Sequence, residues 1–333
     1  MLLSEAGFLN GNDLIWDGTF SWCLNLDLFS QQYNIVIKFE EGDTVLTYTI
    51  ATILLKGKTT PSYKKMLDAL NGLYQEAGHE GDFKPKSVRL DHEKAVVNTI
   101  RNRWCNGEED DPLVVTCNFH FLSLQRKRFA NIDQFYFKET SPIHAAWQMV
   151  KGLCYVDWHA DIWDQSVNPP VNGMVQHFFE VFPQCAPDLP ATKQRKFQAY
   201  CVYLKKEFFG KPKYGFNLND HYNMYKSGIS DLTSNGVETR NCGFNKDSHS
   251  GKKDLESVCN FMVDHKTECY EDKLYKCTNG QYGGRFNPRR KEVIEKWAKQ
   301  REAFFEFDSL PSQMQKERLL EYLQAIGTAN PFE

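Results

Sequence analysis

The stretch from Lys86 to Phe121, KSVRLDHEKAVVNTIRNRWCNGEEDDPLVVTCNFHF, constrains the fold more than any other part of the chain. A short β-type run, Ser87 to Leu90, leads into Asp91. Val96, Ile100 and Trp104 then recur every fourth residue, which predicts one face of an amphipathic helix. A polar turn over 106–112 precedes a second β-type run, Leu113 to Thr116, which ends in Cys117-x-x-His120. A strand-helix-strand unit of this length favours parallel pairing through a right-handed crossover. Ligands on such sheets bind at the carboxyl ends of strands, where Asp91 stands. Taken alone, Asp91 reads first as the N-cap of the following helix, because Asp is a favoured cap. The two roles are compatible.

Upstream, Asp13 to Phe20 (DLIWDGTF) is a short apolar run that closes on Asp-Gly-Thr. Asn34 to Phe39 and Thr44 to Leu55 are rich in β-branched residues and flank the turn Glu41-Gly42-Asp43, so they predict a hairpin. Asp17 then ends, or nearly ends, the first strand of a meander, although Asp before Gly is also an ordinary turn signal. Thr60 as cap and Pro61 in the first turn begin a helix whose apolar face is Tyr63, Met66, Leu67, Leu70 and Tyr74. The predicted order of strands, helix, strand, helix, strand is that of an RNase H-like fold: α/β, with a mixed five-stranded sheet flanked by helices. In that fold Asp17 and Asp91 come together at the sheet edge. Paired carboxylates repel, and such an arrangement persists where a divalent cation neutralises it.

Beyond Phe121 the pattern turns helical. Pro142 to Val156 and Val171 to Phe182 are apolar, and Lys193 to Phe209 is basic and amphipathic, with Phe197, Cys201, Leu204 and Phe208 at helical spacing. Trp147, Trp158 and Trp163 read as core residues ahead of base-stacking ones. Glu238 falls in the first turn of a helix capped near Ser234 or Asn235, and Asn235-Gly-Val-Glu238 also has capping-box spacing. Pro288 to Phe307 and Pro311 to Ile326 predict two more amphipathic helices, the second lined by Met314, Leu319, Leu320, Leu323 and Ile326.

A composition of 41% hydrophobic and 25% charged residues is ordinary for a soluble globular chain. The net charge of −3 excludes a uniformly basic nucleic-acid binder. Charge is concentrated locally: Lys193 to Lys213 holds seven basic residues against Glu207 alone, and Arg285 to Arg301 holds seven against Glu292 and Glu295. Such patches can follow a phosphate backbone or can be solvated helix faces. No apolar run has the length of a membrane span, so no membrane association is expected. The first residues lack a basic n-region and an apolar h-region, so no signal peptide is expected. Ten cysteines without a short repeating spacing read as mostly reduced thiols of an intracellular protein.

These blocks resemble the MULE (Mutator-like element) transposase domain. The resemblance is carried by Trp16-Asp17-Gly18-Thr19-Phe20, by Lys58-Thr59 ahead of a Tyr63 helix, by Leu90-Asp91-His92-Glu93-x-Ala95, by Cys117-Asn118-Phe119-His120-Phe121, and by Leu232 to Asn241. In the last block Ser234-Asn235-Gly236 stands for the more usual paired asparagines, and neither zinc-finger-like module of the family is recognised in the chain. The resemblance implies catalytic and metal-binding roles for Asp17, Asp91 and Glu238 with two Mg²⁺ ions, for which Mn²⁺ can substitute. Asp17 would bridge the ions, and Asp91 and Glu238 would each complete one. It implies supporting roles for Cys117 and His120, which supply only two of the four ligands a structural zinc needs. The expected layout is a core over 1–130 and 231–262, a helical insertion over 131–230 and a C-terminal helical extension over 263–333. The expected function is metal-dependent DNA cleavage and strand transfer in the nucleus. DNA would be met by Lys193, Arg195, Lys196, Lys205, Lys206, Lys213 and Arg240, with homo-oligomerisation left open. The alternative is a domesticated or truncated transposase-derived module that binds nucleic acid or protein without catalysis.

Overall fold

Runs of β-branched and aromatic residues become strands where one face is covered by apolar helices. In the computed structural model of the chain, which describes residues 13–19, 29, 31–41, 44–158, 173–209, 218–227, 260, 263 and 288–329, this happens early. Strands β1 (Asp13–Thr19), β2 (Gln31–Glu41) and β3 (Thr44–Leu55) form the meander. Helix α1 (Thr60–Glu76), strand β4 (Ser87–Leu90), helix α2 (Lys94–Trp104) and strand β5 (Leu113–Thr116) follow. The five strands make one mixed sheet in the order β3-β2-β1-β4-β5. β1 is central, antiparallel to β2 and parallel to β4, and β4 is parallel to β5.

The period of two sorts the side chains. Leu14 and Trp16 of β1, Tyr33, Ile35 and Ile37 of β2, and Val88 and Leu90 of β4 share one core with α1 and α2. The helices present the expected apolar faces: Tyr63, Met66, Leu67, Leu70 and Tyr74 from α1, and Val96, Ile100 and Trp104 from α2, are all buried. The Trp16 ring meets Tyr33 and Trp104 edge-on, with centroids 6.3 and 5.8 Å away. Alternation places Asp13, Ile15, Asp17 and Arg89 on the opposite face, where Ile15 and Val36 form a separate small apolar cluster.

Two caps differ from expectation. Thr59, not Thr60, is the N-cap of α1, and its hydroxyl accepts the Ser62 amide. The N-cap of α2 is Glu93, not Asp91.

The chain divides into two compact units, Met1–Cys117 with Thr233–Arg285, and Asn118–Leu232 with Phe286–Glu333. The sheet belongs to the first. The described part of the second is helical: α3 (Asn118–Ile132), α4 (His144–Gly152), α5 (Gly173–Val181), α6 (Ala191–Leu204, continued by a π turn Lys205–Phe209), α7 (Leu218–Lys226), α8 (Pro288–Asp308) and α9 (Ser312–Thr328). Its core is aromatic, with Phe129, Tyr136, Trp147 and Tyr200 in edge-to-face contact. Trp147 and Trp158 are buried there and are not base-stacking platforms, and Trp163 lies outside the described residues. α4 and α9 touch backbone to backbone. A Cβ on Gly152 would stand 2.5 Å from the Leu323 carbonyl, and one on Gly327 would overlap the Gln148 carbonyl. The Tyr322 hydroxyl donates to the Tyr155 carbonyl at 2.8 Å, closing the same contact. Met314, expected to line α9, is instead exposed. No helix of the described residues is long and apolar enough to cross a membrane.

Candidate active site

The last pair in the parallel ladder between β1 and β4 is Trp16 with Leu90. Asp17 follows Trp16 within β1, and Asp91 is the first residue after β4, so the two stand just past the last pair of a ladder whose strands lie roughly 4.8 Å apart. Alternation along β1 turns Asp17 away from the face of Trp16. Asp17 is buried, and Asn34 is its cross-strand neighbour on β2. The Asn34 side-chain oxygen accepts from Thr52 Oγ1 at 2.8 Å and from Gln32 Nε2 at 3.2 Å. Asp91 accepts the His92 backbone amide at 2.6 Å, a local turn contact that leaves the cap position to Glu93.

A chain of hydrogen bonds crosses the same end of the sheet. Gln31 Nε2 donates to the Tyr63 hydroxyl at 2.8 Å, and that hydroxyl donates to Glu93 Oε1 at 2.6 Å. Glu93 Oε2 lies 3.6 Å from the Lys58 ammonium. The Tyr33 ring packs against Gly18, its partner in register. A Cβ there would stand 3.1 Å from both the ring and Gln31 Nε2, so a larger residue would have to push one of them aside. The Tyr33 hydroxyl is buried and finds no hydrogen-bond partner among the described residues. Burial foremost, then Tyr63 and the charges of Asp17, Glu93 and Asp91, hold the Tyr33 phenol well above its usual range. Burial, then the hydrogen bond to Glu93, raises the Tyr63 phenol well above its own, against the lowering contact from Gln31. Both phenols therefore stay protonated, and that of Tyr63 donates to Glu93.

Cys117 is buried directly after β5. Its amide donates to the Leu90 carbonyl at 2.7 Å, and its carbonyl, which can only accept, takes the His92 Nε2 proton at 3.0 Å. Its backbone is thus tied to both the end of β4 and the turn that follows it. His120 lies in the first turn of α3, in the second unit, half-buried with its ring 5.8 Å from Phe119. Glu238, Arg240 and Lys213 lie outside the described residues. Among the described residues no group of three or more His, Cys, Asp or Glu side chains is arranged to hold a metal. Asp17 and Asp91, just past the last β1–β4 pair, are hard oxygen donors of the kind taken by a cation that binds a few carboxylates and keeps its waters. Glu93 is committed to Tyr63 and Lys58.

The basic helix of the second unit separates into two groups. Lys193 pairs with Asp133 at 3.3 Å, and Lys196 donates to the Asn131 carbonyl at 2.9 Å, so both fasten α6 to the end of α3. Arg195, Lys205 and Lys206 are exposed, as is Lys196 despite its bond, and Lys205 lies 5.5 Å above the Phe179 ring. Sequence patterns place Tyr63 on an apolar face and assign no role to Gln31, Tyr33 or Lys58. The available signal is a phenol in a buried helix stripe, whose O–H must find a partner.

Comparison of the chain with protein-family models, with curated proteins and with solved structures finds no match.

Proposed function

We propose that the chain is the catalytic core of a MULE-type DNA transposase, a metal-dependent polynucleotidyl transferase with an RNase H-like sheet. The observation that carries this reading is that Asp17 and Asp91 directly follow Trp16 and Leu90, the last pair of the parallel ladder between β1 and β4. The strand order β3-β2-β1-β4-β5 is the one such a fold requires. Asp17 and Asp91, joined by Glu238, would hold two Mg²⁺ ions, whose charge would offset that developing on the attacking and leaving oxygens of a phosphodiester. The protein's own part is positional. The strands fix Asp17 and Asp91, and the exposed Arg195, Lys205 and Lys206 of the second unit meet phosphates without reading sequence.

The test is nicking of supercoiled plasmid DNA by the purified chain in MnCl₂. Wild type should nick, whereas Asp17→Asn, Asp91→Asn and Glu238→Gln should not, while keeping near-native melting temperatures. Equal nicking by either Asp variant refutes the reading. A wild-type chain that binds DNA but never nicks it favours the non-catalytic descendant.

A further inference from the structure

The turn between β4 and α2 is Asp91-His92-Glu93, and its last two side chains diverge to opposite neighbours. The His92 ring reaches the Cys117 carbonyl after β5, and the Glu93 carboxylate reaches Tyr63 on α1 and Lys58 before it. Glu93 occupies the N-cap of α2 with extended backbone, φ −83° and ψ 108°, yet its side chain takes no part in capping. A cap bond is the nearest use for that carboxylate, and Glu93 does not make it. The side chain is turned instead into a bond of 2.6 Å with a buried phenol that is itself held by Gln31 from β2. Four segments, from β2, the β3–α1 connection, α1 and the β4–α2 turn, are thereby joined immediately beside Asp91. The Tyr63 ring cannot move to accommodate a shifted turn, because it is fully buried and packed edge-on to Tyr33 at 5.7 Å.

We propose that Glu93 is a positioning residue: tied to Tyr63 and Lys58, it fixes the β4–α2 turn and so holds Asp91 beside Asp17 in the spacing that a divalent cation needs. The inference rests on the reading of Asp17 and Asp91 as cation ligands. It differs from a direct ligand role for Glu93 in what each variant does. Partners that orient a ligand typically change metal affinity by about 10–100-fold when removed. For a tie acting through two residues of backbone, the lower end, about tenfold, is the expectation.

The experiment is calorimetric titration of the full chain with MnCl₂ in the absence of DNA. Tyr63→Phe, which keeps the ring and deletes one hydroxyl, should weaken Mn²⁺ binding about tenfold, as should Glu93→Ala. The double variant should bind no more weakly than the weaker single one, because both break the same tie. Glu93→Gln, which keeps an acceptor for Tyr63, should retain most of the affinity. The core variant Leu67→Ala should lower the melting temperature without changing affinity. Should Glu93→Ala fail to fold, Tyr63→Phe decides. Unchanged affinity in Tyr63→Phe overturns the inference while leaving the cation site intact. Loss in Glu93→Gln as complete as in Asp17→Asn makes Glu93 a ligand and overturns it too. A wild-type chain that binds no Mn²⁺ overturns the cation reading of Asp17 and Asp91, and the inference with it.

Discussion

Tyr33 and Tyr63 are neighbouring buried phenols, and removal of a single oxygen from each should change stability in opposite directions. The Tyr33 hydroxyl is buried without a hydrogen-bond partner among the described residues. An unsatisfied buried hydroxyl costs about 1–3 kcal/mol relative to an apolar group of the same shape. Phenylalanine keeps the ring that packs on Gly18, Trp16 and Tyr63, so Tyr33→Phe should stabilise the sheet unit by roughly 1 kcal/mol. The Tyr63 hydroxyl, in contrast, accepts from Gln31 and donates to a carboxylate. Its removal deletes one neutral and one charge-assisted bond. The Glu93 side chain is 20% exposed, so water recovers part of the loss. Tyr63→Phe should therefore destabilise by about 1–2 kcal/mol. For a unit of this size, 1 kcal/mol moves the melting temperature by roughly 2–4 °C. Scanning calorimetry is the assay, because two compact units can give two transitions and only that of the sheet unit should move. Shifts of the same sign in both variants would refute the reasoning. Destabilisation by Tyr33→Phe alone would show that its hydroxyl has an acceptor.

Replacing Lys205 and Lys206 by Gln should weaken binding to duplexes of any sequence and flatten the log–log salt dependence by roughly 0.9 for each phosphate no longer neutralised; an unchanged slope places that turn away from DNA. Asp133 is a source of acid sensitivity in the second unit. Burial would raise its pKa, but the Ser141 hydroxyl, the Phe135 amide and Lys193 together hold it below the usual range. Its stabilising contribution is complete above the unfolded carboxylate pKa of about 4 and is lost as pH falls through the lower folded value. Asp133→Asn should lower the melting temperature at pH 7 and lessen its fall towards pH 3, as read by thermal scans across that range. Gly327→Ala should destabilise by about 1–3 kcal/mol or more, since the added methyl overlaps the Gln148 carbonyl; an unaltered melting temperature would mean that α4 and α9 do not touch through their backbones.

The local periods of the first 117 residues carried most of the sheet unit. The hairpin, both amphipathic helices and both parallel strands follow from alternation and four-residue spacing, because each element buries one continuous face. What local pattern could not resolve was which of several polar residues does which task. Asp91 and Glu93 both precede α2, and preference rules favour Asp as the cap. The structure gives that position to Glu93, because the strand ends at Leu90 and the turn needs two further residues. Thr59 and Thr60 pose the same ambiguity. Charge counting did not show that Lys193 is neutralised by Asp133, or that Lys196, still exposed, is tied to the Asn131 carbonyl, sixty-odd residues earlier. The ties from Gln31 to Tyr63 and from Tyr63 to Glu93 span 32 and 30 residues, so only the assembled sheet reveals them.

The backbone contact between α4 and α9 also bears on the order in which the chain becomes protein. Tyr155 and Tyr322, which close that contact, are 167 residues apart. At about 5–20 residues per second, α4 leaves the ribosome roughly 8–30 seconds before its partner exists. Every strand of the sheet precedes α4, so the sheet unit's described elements are all synthesised before that interval begins. During the interval the Gly152 side of α4 has no α9 to cover it, and buried aromatic neighbours such as Trp147 lie on the same short helix. Nascent chains stalled between the two helices should therefore bind holdase chaperones, and chains extended past Thr328 should release them.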